Sequence, residues 1–370
     1  MDNQKSFSKE ALPISFNKTV NIEKPTLVMK ARNAWEMIFK EGFRAFLYKI
    51  RRLLYYKGRA LLRRIFNSQA GEKLREEAYK YYLAERKLPK LSVIVTVLGQ
   101  HELSKLCLSK LVSSSIGKME IVVMDGGGDF VIEKGDLPDK PINIKVVTDK
   151  GGYPNFKFWM ENTTGDILLF IHNDIMIEEN GFDVLLRYIF EKDNRLGMVG
   201  FVGSDEMAEN GSRLWGTTSN FLGKTYSYKD ESWTGTPASL HGQRYDGLTQ
   251  CVVIDGCVMA LRRSAWENLK EPNYPPLLYY HYDRIMSCRM LEAGYTLASI
   301  GTACDHLNNM TGGNEKKWHD NVRVICQKNN IPGIKDETGE INWDISLHAE
   351  AKRLFILEWR DEKHFIPRKI

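Results

Sequence analysis

The sequence predicts an α/β fold built on a mostly parallel sheet flanked by helices, and three apolar runs predict it. Leu91 to Val97 reads as a first strand, Glu120 to Met124 as a second and Ile167 to Ile171 as a buried third, each short and bounded by turn residues. Between the first two, Leu103, Leu106, Leu108 and Leu111 recur at helical spacing. Alternation of strand and helix brings successive strands parallel, and open sheets of this kind bind ligands outside their carboxyl edge.

Taken in order, each element ends on chemistry. After the first strand, Gly99-Gln100-His101-Glu102 leads into the helix. The second strand stops at Asp125-Gly126-Gly127-Gly128, an acid followed by glycines that allow a ligand close to the backbone or simply make a tight turn. Ile142 to Val147 reads as another strand. The run Ile167 to Ile171 breaks abruptly into His172-Asn173-Asp174. Its polar end reads either as a solvated loop or as a site where Asp174 holds a hard cation together with a diphosphate.

Four of these segments, in order, resemble the inverting glycosyltransferases of family 2, whose fold is the Rossmann-like GT-A nucleotide-sugar fold; the likeness spans roughly residues 90 to 310. Leu91 to Leu103 looks like the family's first strand and nucleotide turn, and Val122 to Gly128 like its second strand with the base-binding acid. His172-Asn173-Asp174 falls at the metal motif. Tyr282-Asp283, Arg289 and Glu292-Ala293-Gly294-Tyr295 are similar to the segment that carries the catalytic base. The chain departs from the pattern at three positions: His172 stands where the family often has Asp, Tyr282 where it has Glu, and Gly99 where Asn is common.

The resemblance implies a division of labour. Asp283 is expected to be the catalytic base. Thr96, Val97, Gly99, Glu102, Asp125, Gly126, Lys157, His172 and Asn173 are expected on the nucleotide-sugar side. Asp174 and His306 would be metal ligands, and Asp255, Gly256, Tyr282 and Arg289 would lie on the acceptor side. The cofactor implied is a divalent cation, Mn²⁺ or Mg²⁺, and imidazole at His306 suits Mn²⁺ better. Displacing a nucleoside diphosphate from an anomeric carbon builds negative charge on the leaving group, which a cation at Asp174 would stabilise. An acceptor hydroxyl is a poor nucleophile, so a carboxylate on the opposite face takes its proton and the anomeric centre inverts. Read without the resemblance, Asp283 is an acid at a helix N-terminus, favoured there by the macrodipole. His306 is equally a plain structural histidine, and Lys157 a solvated lysine.

Charge divides the 370-residue chain. Residues 1–90 hold 21 Lys and Arg against 9 Asp and Glu, about +12, whereas the remaining 280 residues carry about −7. Within this head, 34–66 reads as basic amphipathic helix with Trp35, Phe39, Phe43 and Phe46 on its apolar side. Such a segment suits an anionic membrane surface, packs on the catalytic domain, or mediates oligomerisation. Nucleic acid is not an expected partner, because no recognised binding module is present and the acidic body repels phosphates.

The expected domains are a basic helical extension (1–88), a GT-A glycosyltransferase domain (89–312) and a helical tail (313–370) that covers it. No apolar run reaches the roughly 20 residues that span a bilayer, and no signal-peptide pattern opens the sequence. The six cysteines show no metal-ligand spacing, which fits reduced thiols in the cytoplasm. The expected enzyme therefore moves a sugar from a nucleotide-diphosphate sugar, UDP or dTDP ahead of GDP, to a hydroxyl on a glycan or lipid-linked acceptor. It would act in cell-surface polysaccharide synthesis, in the cytoplasm or peripherally on the inner face of a membrane. The alternatives are a catalytically silent nucleotide-sugar-binding scaffold and a sugar-nucleotide nucleotidylyltransferase; the latter needs a glycine-rich basic loop after the first strand, which Leu98 to His101 is not.

Overall fold

A computed structural model describes residue 47 and residues 70–357, apart from 150–154, 206, 209–210, 212–216, 220–223, 230–231, 238–246, 270–279 and 307–315. Apart from Leu47, the basic stretch 34–66 lies outside the described residues. Helix α1 (70–83) precedes strand β1 (Leu91–Val97), helix α2 (His101–Ser114), β2 (Glu120–Asp125) and β3 (Asn143–Thr148). Helix α3 (Phe156–Glu161) leads into β4 (Ile167–His172) and the short β5 (Ile175–Ile177), then α4 (Phe182–Lys192), β6 (Leu196–Gly200) and β7 (Val202–Ser204). Strands β8 (Thr217–Ser219), β9 (Lys224–Lys229) and β10 (Ser232–Pro237) follow, then β11 (Thr249–Cys251), β12 (Val253–Ile254), β13 (Val258–Arg262) and helix α5 (Arg263–Glu267). Helix α6 (Tyr282–Glu292), β14 (Thr296–Ser299), β15 (Cys304–His306), α7 (Lys316–Lys328), β16 (Ile334–Lys335), β17 (Ile341–Asn342) and α8 (Trp343–Ile356) complete the described residues.

The main sheet has the order β11-β14-β6-β13-β4-β1-β2-β3. Strands β3, β2, β1 and β4 are mutually parallel, as strand-helix alternation requires, and β13 enters antiparallel between β4 and β6. Both faces of the central strands are covered. Val93, Val95, Leu169 and Ile171 pack toward α2 and α4, whereas Ile94, Val122, Leu168 and Phe170 pack with Phe156, Trp159, Trp266 and Met286. Burial on two faces is why these strands read as unbroken apolar runs. At the edge, β3 buries none of its residues, only Ile144 and Val147 being half-buried.

Two connections position the site. Beyond β4 the chain turns through Asn173-Asp174 into β5, which leaves the main sheet and pairs antiparallel with β15, setting Ile175 opposite His306. The β12-β13 turn, Asp255 to Cys257, meets the carboxyl end of β4, where His172 N–H donates to Cys257 O at 3.0 Å. Three segments far apart in sequence thus converge at one end of the sheet.

The two ends of the described region are tied down as well. On α1, Arg75 pairs with buried Glu179 at 2.6 Å and donates to Gly301 O, so this last part of the head packs on the domain. Helix α8 buries Ala351 and Phe355 with Val252, Val253, Ile285 and Cys288, against the helix that begins at Tyr282. Among the described residues no helix is long and apolar enough to cross a membrane.

The α8 contact contains a buried histidine. The His281 ring lies 5.6 Å from that of His348, and burial, then Arg284, His348 and Lys352, push its pKa down to about 3. An unfolded histidine titrates near 6.5, so between those values the unfolded chain binds a proton that the folded chain refuses. Stability should therefore fall as pH drops below about 6.5, with a slope approaching 1.4 kcal/mol per pH unit from this residue. His348, lowered by burial and the same cations, adds to it. Urea midpoints between pH 7 and pH 5 check this: His281→Gln should flatten the dependence, and an unchanged slope would exclude His281 as its source.

Candidate active site at the carboxyl edge of the sheet

Just beyond the apolar run of β4 lies a buried carboxylate. Asp174 is buried, at 6% exposure, and its Oδ1 meets no hydrogen-bond donor in good geometry among the described residues. That oxygen lies 3.5 Å from His306 Nε2 and 4.0 Å from His172 Nδ1. One ligand atom from each of His172, Asp174 and His306 falls within 4.8 Å of the others. A buried carboxylate oxygen between two imidazole nitrogens is a fitting donor set for a divalent cation, and the two nitrogens favour Mn²⁺ over Mg²⁺.

Electrostatics agree with that use. Burial pushes the Asp174 carboxyl up, but the facing His306 and His172 outweigh it and hold it below the usual carboxylate range. The reverse holds for His306, where burial works against the charged form and Asp174 prevails, raising the imidazole. A divalent cation bound here would compete with a proton at His306. His172 is lowered, chiefly by burial, and stays the neutral imidazole that a metal requires. Beneath it, the Cys107 thiol is pushed up by burial and by Asp174, and donates to His172 O at 3.7 Å as a neutral group.

Asp283 sits in the first turn of α6, underneath the Asp255-Gly256 turn. Its Oδ1 accepts from the Arg284 backbone N–H at 2.9 Å and from Arg284 Nη1 at 2.7 Å, and its Oδ2 accepts from Gly256 N–H at 3.2 Å. Asp255 Oδ1 accepts from Cys257 N–H at 3.0 Å, which shapes the turn. Its carboxylate acts electrostatically on both His172 and His306. Tyr282 extends toward β4, its hydroxyl donating to Gly256 O at 3.1 Å and lying 3.0 Å from His172 Nε2. The acid, the turn and the histidine cluster therefore form one constellation.

Most of the residues expected on the nucleotide-sugar side line the same edge. Thr96 is in register with His172, and Val97 with Asp125. Gly99 and Gln100 are both left-handed (φ 70° and 51°), which suits glycine at the first and bends the chain sharply into α2. Asp125 is buried and both its oxygens are engaged, Oδ1 by Gly127 N–H at 2.9 Å and Oδ2 by Phe130 N–H at 2.8 Å. Gly126 N–H donates to Val97 O. Asn173 points inward, its Nδ2 donating to Ser104 Oγ at 2.9 Å, so it anchors the β4-β5 turn to α2.

Three expected residues stand apart. Glu102 is exposed and pairs with Lys105 at 3.5 Å, and Lys157 lies on the exposed side of α3. Arg289 pairs with Glu292 at 3.3 Å, six residues beyond Asp283 and thus about 9 Å farther along α6. Sequence reasoning missed Asp149. Buried just after β3, it accepts from Trp159 Nε1 at 2.7 Å and Asn155 Nδ2 at 2.9 Å, while its N–H donates to Asp125 O. It sits at the tip of a strand, as Asp125 and Asp174 do, and that rule would have found it.

Residues 155–325 match a glycosyltransferase-like family, a span that contains Asp174, Asp255, Asp283 and His306. Among solved structures, a mannosyltransferase from Pyrobaculum calidifontis in complex with GDP-Man and Mn²⁺ is 14% identical, with 81% of this chain and 88% of that one covered and a TM-score of 0.38. GalNAc-T7 with UDP, GalNAc and Mn²⁺ is 13% identical over 75% of this chain and 57% of its own, with a TM-score of 0.39. TarS of S. aureus is 12% identical over 71% and 42%, with a TM-score of 0.38. A comparison with curated proteins gave no match.

Proposed function

We propose that the chain is a glycosyltransferase, a reading supported by the match of residues 155–325 to a glycosyltransferase-like family, and that it inverts configuration in moving a sugar from a nucleotide-diphosphate sugar to an acceptor hydroxyl. What carries the reading is the meeting of His172, Asp174 and His306 with Asp283 and the Asp255-Gly256 turn at one sheet edge.

In this reading the left-handed turn at Gly99-Gln100 and the tips of β1 and β2 receive the nucleotide, with Thr96, Val97, Gly99 and Gly126 offering backbone to it. Asp125, which already holds its own loop, shapes the pocket for the base. His172, Asp174 and His306 would hold the cation. When bound, a divalent cation supplies positive charge to the departing diphosphate oxygens.

Asp283 is the base. Arg284 and Gly256 N–H fix the orientation of its carboxylate, and Oδ2, engaged by one N–H, retains a lone pair for a proton. As the acceptor oxygen bonds to the anomeric carbon, the bond from that carbon to the diphosphate oxygen breaks. The hydroxyl proton passes to Asp283, and the configuration inverts. Tyr282, Asp255 and Gly256 border the acceptor face, with Arg289 farther along α6.

We place the acceptor among glycans or lipid-linked saccharides of the cell surface, with UDP- or dTDP-sugars as donors. The positive charge of residues 1–90 supports work at the anionic inner face of a membrane. A screen of UDP-, dTDP- and GDP-sugars with Mn²⁺ or Mg²⁺ tests the reading, with product configuration followed by NMR. One donor class should turn over with inversion and only with metal. Retention of configuration, or turnover in chelator, would overturn it.

A further inference from the structure

The two departures from the family pattern at His172 and Tyr282 touch each other. Although 110 residues apart, His172 Nε2 and the Tyr282 hydroxyl lie at 3.0 Å. A tyrosine hydroxyl has one proton, and this one is donated to Gly256 O at 3.1 Å. A neutral imidazole carries one N–H and one lone pair. With the tyrosine proton committed to Gly256, the 3.0 Å contact is a hydrogen bond only when Nε2 carries the imidazole hydrogen. The lone pair then sits on Nδ1, the nitrogen that faces Asp174.

We propose that Tyr282 is a positioning residue that fixes His172 in the Nε2–H tautomer and so presents the Nδ1 lone pair to the cluster it forms with Asp174 and His306. The residues around the tyrosine hold it to that role. It is buried, with Phe156 against its ring at 5.9 Å. Gly256 leaves the space, since a Cβ there would come within 2.3 Å of the tyrosine oxygen and 2.5 Å of Cζ. A ligating histidine needs its other ring nitrogen held, because that contact sets both tautomer and ring orientation. Tyr282 supplies it, so the hydroxyl at 282 accompanies the imidazole at 172 as one functional unit. The inference rests on the metal reading above for its purpose, but the tautomer stands on its own.

Nitrogen-15 spectra of histidine-labelled protein, recorded without metal and assigned by comparison with His172→Asp, read the tautomer directly. The wild type should show His172 protonated on Nε2, and Tyr282→Phe should lose that preference. In calorimetric titration with Mn²⁺, Tyr282→Phe should weaken binding about 10- to 100-fold, the usual worth of a residue that orients a ligand. Because Tyr282 acts through His172, the same substitution made in His172→Asp should leave Mn²⁺ affinity unchanged. Protonation on Nδ1 in the wild type would overturn the proposal. Equal weakening in both backgrounds would do so too, since it would make the tyrosine merely structural. Failure of the wild type to bind Mn²⁺ would instead sink the metal reading, while the spectra still decide the tautomer.

Discussion

Asp174→Asn is expected to abolish Mn²⁺-dependent donor binding, with affinity falling more than about 100-fold, beyond what loss of an orienting residue costs. The substitution keeps size and shape but removes the charge that lies between His306 and His172. No other carboxylate is placed to replace it in the described cluster of three. Because Asp174 is buried, the melting temperature must be followed beside affinity. A folded variant that binds donor and metal as the parent does would remove Asp174 from the site. Calorimetry with Mn²⁺ and a nucleoside diphosphate makes the comparison without need of the acceptor.

Asp283→Asn should reduce transfer by roughly 10² to 10⁴ while donor affinity barely moves, because a general base acts in the transition state. The asparagine can still accept from Arg284, but it has no basic oxygen for the acceptor proton and presents an amide to Gly256 N–H. That mismatch should cost about 1 kcal/mol of stability. The discriminating observation is a split between kcat and donor Kd. Loss of donor binding in step with turnover would mean that Asp283 only supports the β12-β13 turn.

The parallel half of the sheet was legible because burial on both faces writes itself as unbroken apolar runs. Leu91 to Val97 and Ile167 to Ile171 lie within one residue of the strands observed, and β3 is shifted by a single residue. Less legible was the second sheet: β5 and β15 are three residues each and carry no periodicity, yet their pairing helps to set His306 beside Asp174. Asp174 and Asp283 stood out as polar breaks at element ends. Their surroundings did not, since bonds such as Asp283 to Gly256 N–H or Asn173 to Ser104 join residues whose spacing in sequence is arbitrary. The pairing of His172 with Tyr282 is of the same kind. In sequence they read as two separate departures, and only their 3.0 Å contact makes them one feature.

The most direct test of the central claim, that the edge formed by Asp174, His172 and His306 is a metal-dependent nucleotide-sugar site, is calorimetric titration of the full-length protein with UDP, dTDP and GDP, each in Mn²⁺ and again in chelator. At least one nucleoside diphosphate should bind in Mn²⁺, binding should vanish in chelator, and Asp174→Asn should bind none in either condition. Binding of equal strength with and without metal, or binding that survives intact in Asp174→Asn, would contradict that claim.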